Sequence, residues 1–380
     1  MKINEKIFYV CVLLLSMLFL FIGNRVASQS RYIPPNEFEL QFYTAVVTEI
    51  TERVETDAPW EWAQSDTDVH IDFNARITDG GRRGEIVSAV QMISSFFMVN
   101  EREVSVGDRV LLQYDEFNRS YNFATYVRIN YILILGAVFL ILVLLFGRKK
   151  GFSAIVALGF TCMAVFFVFI PAILSGRNIY ITTIVVCVFA ITSTLLIVIG
   201  QNKKALSAML GCLGGVLLAG LLMLIMDTAL SMTGLLDADA LSLLHLPTPV
   251  DLRALIFAGV ILGAVGAIMD VAMSISSSLW ELKESGGIAD FTGIMKSGIN
   301  IGKDILGTML NTLILAYIGS SLSLILLINV HATSLMELFS MEMIIVELLR
   351  ALVGSFGMLL TIPLTAAICG WLYTNRPLLK

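Results

Sequence analysis

Asp270 is the residue whose setting most calls for chemistry. It stands in the last third of an apolar run, 255–276, and Ser274, Ser276, Ser277 and Ser278 follow it closely. A carboxylate in hydrocarbon is costly unless it is paired or solvated, so an acid kept there is a functional-site hypothesis by default. The next apolar run opens with Asn300, Lys303 and Asp304 and carries Thr308, Asn311 and Thr312 in its first half. On helices, Gly263, Gly266, Asp270, Ser274 and Ser277 fall on one face, and Asn300, Asp304, Thr308 and Asn311 fall on another. With exits near Ser278 and Lys303, Asp270 and Asn311 each lie about 12 Å from the same membrane surface. Two such stripes facing each other make a polar cavity, with Asp270, Ser274, Ser277, Asp304, Thr308 and Asn311 as its expected lining. The chemistry of that set is proton or cation binding coupled to passage of a solute. The competing reading is helix packing, because small and hydroxylated residues also let membrane helices approach closely.

Other chemistries find little support. There is no Gly-rich P-loop, no Gly-x-Ser-x-Gly and no His-Glu-x-x-His, and Asp270 lacks the Tyr-Asp plus Gly-x-Gly-Asp pairing of aspartyl intramembrane proteases. No enzyme activity and no cofactor are expected. Cys11, Cys162, Cys187, Cys212 and Cys369 all fall in apolar runs, which argues against a disulfide framework or a zinc site. Two longer connections are acidic with one histidine each. One holds Asp227, Asp237, Asp239, His245 and Asp251; the other holds His331, Glu337, Glu342 and Glu347. Their spacing lacks metal-ligand regularity, and scattered carboxylates usually face solvent. Glu347 and Arg350, three apart, are expected to pair along one helix face.

The elements that would position these residues follow from composition. At 57% hydrophobic and 14% charged, with a mean hydropathy of +0.84, the 380 residues describe a polytopic α-helical membrane protein. After an N-terminal anchor (domain 1–29, apolar over 7–23), spans are expected at 130–146, 152–173, 179–199, 205–226, 255–276, 305–328 and 349–373, about eight transmembrane helices in all. A separate interfacial helix is expected over 280–303, with Ile288, Phe291, Ile294 and Met295 on lipid. Gly211, Gly214, Gly215 and Gly220 read as close helix contact, and Pro363 as a kink that a nearby threonine relieves. Lys2, Lys6, Arg148, Lys149, Lys150, Lys203, Lys204, Lys283, Lys296, Lys303, Arg376 and Lys380 all fall on one side of this arrangement. The bias of basic residues puts both termini in the cytoplasm and residues 30–128 outside the cell (plasma) membrane.

That region, domain 30–128, is the one sizeable polar stretch, and domain 129–380 is the helical block. Period-two alternation over 43–50, 69–77, 85–90 and 109–114, with Asp79-Gly80-Gly81 and Gly107-Asp108 turns, suggests a small β-rich, barrel-like domain of OB or barrel-sandwich type. It has no basic stripe, and Glu49, Glu52, Glu55, Asp57 and Glu61 argue against a nucleic-acid partner. Tyr32-Ile33-Pro34-Pro35 reads as a stiff linker, and Trp60 and Trp62 as an exposed tip or ligand lip.

The runs GAVGAIMDVAMSISSS and NIGKDILGTMLNTLILAYIG resemble the YibE/F-like family of bacterial multi-spanning membrane proteins. The resemblance extends over anchor, β-rich segment and helical block. It implies this architecture and a membrane location, and it assigns no catalytic or binding residue. The function expected is an ion-coupled transporter or permease. Its partners are the lipid bilayer, a small solute or ion and, in some readings, another membrane protein. The alternative is a non-transporting envelope receptor, assembly factor or scaffold that acts through the β-rich domain.

Overall fold

Long uncharged runs must satisfy their backbone groups internally, and the computed structural model shows them doing so as helices. It describes residues 3–28, 41–57, 67–93, 102–236, 238–287, 290–331 and 334–374. The expectations for Lys2, Tyr32–Pro35, Trp60, Glu61, Trp62, Asp237, Ile288, Arg376 and Lys380 lie outside those residues. The chain divides into two units, residues 1–33 with 143–380, and residues 34–142.

The helices are α1 (Ile3–Ala27), α2 (Ile129–Ala164), α3 (Ile170–Leu174), α4 (Ile179–Val198), α5 (Lys203–Ala229), α6 (Ala238–Leu244), α7 (Leu252–Glu284), α8 (Phe291–Ser320), α9 (Leu322–His331), α10 (Leu335–Leu338) and α11 (Glu342–Thr374). Side-chain caps explain several starts. Asn178, Asn202, Asp251 and Asp290 each accept the backbone N–H three residues on, opening α4, α5, α7 and α8. Among the described residues seven helices are long and apolar enough to cross a membrane. The 46-residue stretch Ile129–Leu174 counts as one of them. It breaks at Arg148 (φ 47°, ψ −123°), where the sequence reading divides two of its eight spans. A wide π turn, Val165–Phe169, precedes Pro171, which has no N–H to give to the helical ladder.

α7 is the centre of the helical unit, with Val260, Ile268, Val271, Ala272 and Ile275 fully buried among α4, α5, α8 and α11. α1 is built into the same unit. Phe19 stacks on Phe189 at 4.1 Å, Arg177 Nη2 donates to Val26 O at 2.8 Å, and Ser175 Oγ donates to Ala27 O. α5 and α11 meet without a gap, since a Cβ on Gly211 would overlap Thr365, one on Gly214 would overlap Leu364, and one on Gly215 would overlap Thr361. Gly220 instead faces Phe257 of α7. The threonines near Pro363 therefore serve packing. Thr361 Oγ1 donates to Gly357 O at 2.7 Å, whereas the carbonyl freed by Pro363 is that of Leu359.

Two expectations are corrected. No separate interfacial helix occupies 280–303: α7 runs on through Trp280 to Glu284, and α8 has already begun at Phe291. Asp290 caps that start, and Ile294, Gly298 and Gly302, four apart, form a buried stripe against α7 and α11. Ile294 is in the core, not on lipid. The span expected at 305–328 is likewise shifted, because α8 ends at Ser320 and α9 is a separate helix beyond Ser321.

In the second unit, β1 (Gln41–Asp57), β2 (Thr67–Ile77), β3 (Ile86–Ile93), β4 (Arg109–Asp115) and β5 (Ser120–Tyr126) close a barrel in the order β1-β2-β3-β5-β4. β3 and β5 run parallel and the other pairs antiparallel, the strand arrangement of an OB-type barrel. Ile71, Phe73, Ala75 and Ile77 alternate inward along β2, and Val110 and Leu112 along β4. Register shifts after Val47 and Ile50 bend the 17-residue β1, which pairs with β4 over its first six residues and with β2 from Ala45 onward. β5 is absent from the sequence reading. Asp115 makes the turn into it by accepting the N–H of Phe117 (2.9 Å) and of Asn118 (3.3 Å).

Candidate functional site

The side of α7 turned away from the core carries the expected stripe. Gly263, Gly266 and Asp270 are exposed and Ser274 and Ser277 partly buried; Gly259, one turn earlier and not among the expected residues, is exposed on the same side. Neighbours cover this face unevenly. Arg350 of α11 lies 3.9 Å from where a Cβ on Gly259 would be, and the Tyr317 hydroxyl of α8 lies 2.9 Å from that of Gly263. At Gly266, one turn before Asp270, nothing among the described residues comes within 4 Å of such a Cβ. The face thus narrows at Gly263 and opens at Gly266–Asp270.

Three polar groups gather at the narrow end. Glu347 and Arg350 form the expected i,i+3 ion pair, at 2.7 Å. Among the described residues, Glu347 Oε2, Arg350 Nε and Tyr317 Oη are buried atoms with no hydrogen-bond partner. Buried polar atoms of this kind are scarce in native proteins. Local spacing tied Glu347 to Arg350 but not to α7, and it missed Tyr317. The apolar stretch around Tyr317 conceals its role, which depends on the crossing of three helices.

The helix register tests the depth argument. Leu279 packs on Gly298, and Gly263 meets Tyr317, so α7 and α8 run antiparallel with both pairs at matched heights. Counting nine residues from the first pair sets Asp270 against position 307, and seven from the second sets it against position 310. Thr308 therefore stands at the height of Asp270, and Asn311 lies no more than about one turn further along. The polar stripes do not join, however. Asp304, Thr308 and Asn311 are exposed; Asp304 and Asn311 lie on the side of α8 away from the buried Ile294–Gly298–Gly302 stripe. Thr308 Oγ1 bonds back to Ile305 O at 2.9 Å. Among the described residues, Asp270 and Asn311 have no hydrogen-bond partner. The amide-to-carboxylate contact that the sequence suggests is absent.

Ser276, one residue outside the expected lining, does something else. Its hydroxyl lies 2.5 Å from that of Ser207 (α5) and 2.9 Å from that of Tyr373 (α11), and Ser207 and Tyr373 are also 2.9 Å apart. Carbonyls of Lys204 and Ser276 receive the outgoing hydrogens. This buried triangle ties three helices together at one end of the unit. Lys203 donates to Leu372 O (2.9 Å) and Lys283 sits 5.9 Å from the Tyr373 ring at the same end. The other end is acidic. Asp251 caps α7, and Glu342 accepts the backbone N–H groups of Thr233 (2.8 Å) and Gly234 (2.5 Å) and the Thr233 hydroxyl (2.6 Å). His245 Nδ1 lies 2.7 Å from Leu241 O. Asp251, Glu342 and His245 of the acidic connections are thus engaged in local contacts.

The sequence profile of the YibE/F-like protein family matches residues 135–375. The chain belongs to the YibE/F-like family. The match takes in all but the first six residues of α2 and every helix from α3 to α11, including each residue of the expected site, and leaves α1 and the barrel outside. Comparison with curated proteins and with solved structures returns no match. As a YibE/F-like protein with several apolar helices, the chain is a membrane protein.

Proposed function

We propose that this YibE/F-like protein is an ion-coupled transporter or permease, with Asp270 as its proton- or cation-binding carboxylate. The observation that supports this most is the α7 face just described. From Gly259 to Ser277 it runs 18 residues, about 27 Å at 1.5 Å per residue, close to the ~30 Å of a hydrocarbon core. Along that length polar groups recur: Arg350 with Glu347, Tyr317, Asp270, Ser274 and Ser277. Glycine at 266 keeps the space beside Asp270 open for a solute, while glycine at 263 admits the Tyr317 hydroxyl. Asp304, Thr308 and Asn311, exposed on α8, remain candidates for the solute path.

The proposed placement is multi-pass in the cell membrane, with α2 crossing twice by way of its break at Arg148, eight crossings in all. Both termini are cytoplasmic and the barrel is outside. The clustering of Lys203, Lys204 and Lys283 at one end of the helical unit, with Asp227, Asp251 and Glu342 at the other, supports that sidedness. The test is solute accumulation or efflux in sealed vesicles containing the purified protein, across a panel of metabolites and ions, with and without a proton gradient. A gradient-driven flux that Asp270→Asn abolishes, in protein still inserted, is the expected result. An unchanged flux in Asp270→Asn refutes the role of the carboxylate.

A further inference from the structure

The barrel unit has a cavity of about 1120 Å³ where β4 and β5 lead into the first turns of α2. Arg102, Arg109 and Arg128 line it together with Asp108, Phe123, Tyr126, Tyr131 and Ile134. The one carboxylate among these is already engaged, because Asp108 accepts both Oδ contacts from Arg102 Nη2 (3.0 and 3.1 Å) and the Ser105 N–H (2.9 Å). Among the described residues Arg109 and Arg128 have no carboxylate partner, which leaves two uncompensated cations facing one space. The sheet itself sets them side by side: Val127 N donates to Arg109 O at 2.9 Å, so Arg128 follows immediately beside β4. Tyr126 stiffens the group. Its hydroxyl donates to Arg102 O at 2.6 Å, and the Arg102 and Arg128 guanidinium groups stand 5.5 and 5.8 Å from its ring.

The lower wall has a different character. Tyr131 and Ile134, three apart on α2, belong to the apolar run that begins at Ile129, directly after Arg128. A membrane that accepts this helix has its head groups at the level of Arg128. The cavity is thus cationic above and apolar below, the polarity of a phospholipid with its phosphate up and its acyl chain down.

We propose that this cavity binds the phosphate group of a membrane phospholipid, with Arg109 and Arg128 as the fork on the phosphate oxygens and Tyr131 and Ile134 against the first part of an acyl chain. Guanidinium is suited to this because its planar donors match two phosphate oxygens at once. The site lies in the barrel unit and stands or falls independently of the transport reading.

The experiment is native mass spectrometry of the full chain in detergent, with short-chain phosphatidylglycerol, the phosphate-free diacylglycerol of equal chain length, and inorganic phosphate as probes. The wild-type protein is expected to retain phosphatidylglycerol, and Arg109→Gln with Arg128→Gln to lower its affinity about tenfold or more. Arg109→Lys with Arg128→Lys, which keeps charge but not the fork, is expected to fall between. Unchanged hydrogen exchange in β4 and β5 shows that the barrel of each variant is intact. Inorganic phosphate held through the same arginines in place of the lipid supports phosphate recognition and moves its source to a soluble ester. Equal retention of diacylglycerol, equal binding by the glutamine variant, or binding of neither phosphate probe overturns the proposal.

Discussion

Alanine at Gly215 and alanine at Gly266 are the same chemical change on two facing helices, yet the structure assigns them opposite consequences. At Gly215 the new Cβ would overlap Thr361 Oγ1 and come within 3.1 Å of Ile268 Cγ2. Thr361 cannot simply rotate away, since its hydroxyl is bonded to Gly357 O. Overpacking of this kind costs roughly 1–3 kcal/mol, and breaking that hydrogen bond adds about 0.5–1.5 kcal/mol. The better helix propensity of alanine returns about 1 kcal/mol at most. At Gly266 the same Cβ meets nothing within 4 Å, so the propensity gain stands alone. The net difference between the two variants is therefore roughly 2 kcal/mol or more, with Gly266→Ala neutral or stabilising. Reversible unfolding in mixed micelles, followed by circular dichroism as the denaturing detergent fraction rises, measures it. Adding Thr361→Ala to Gly215→Ala should recover most of the loss, because the overlapping atom is gone. Equal stability of the two single variants would refute the claim that α7 is tightly packed on its α5 side and open at Gly266.

Three other outcomes are expected. Ser276→Ala leaves the Tyr373 and Ser207 hydroxyls buried with one partner fewer, a loss of about 1–3 kcal/mol on the same unfolding assay, whereas Ser278→Ala should change little. Glu342→Gln keeps the shape but weakens three accepted hydrogen bonds, so the amides of Thr233 and Gly234 should exchange hydrogen measurably faster. In the barrel, the Arg53 guanidinium holds the Glu103 carboxyl below the usual carboxylate range. A carboxyl depressed in the folded state contributes stability above its unfolded pKa and loses it as pH falls through the lower, folded value. Protection of β1 from hydrogen exchange should accordingly decline below about pH 4, and Glu103→Gln should flatten that decline; the effect is small, since the pair is exposed.

How much was legible in the sequence varies with the range of the contact that decides it. Membrane helices, the Gly211–Gly215 contact and the Glu347–Arg350 pair are local or one-face patterns, and the structure contains each of them. The start of α8 was hidden by Lys296 and Lys303, which look like head-group contacts. The four-residue spacing of Ile294, Gly298 and Gly302 was the signal for a packed helix. β5 follows an Asp-x-x-Asn turn whose Tyr121 and Phe123 alternate, a pattern obscured by the polar residues between them. The face of Asp270 was readable because five residues at helical spacing are small or polar. What stands opposite it was not. Tyr317, Glu347 and Arg350 meet α7 only because α8 and α11 cross it, and the side to which α8 turns Asn311 depends on glycine packing against α11.

Transport as proposed requires water to reach the α7 face around Asp270. Single cysteines placed by Gly266→Cys and Ser274→Cys, in a background with the five native cysteines replaced, can be tested in sealed vesicles with a charged thiol reagent. Such a reagent reacts with the thiolate, which forms only where water reaches. Leu352→Cys, on an exposed apolar position of α11, is the lipid-facing reference. The account predicts fast reaction at 266 and 274 and little at 352. Reaction at 266 and 274 as slow as at 352 would contradict it.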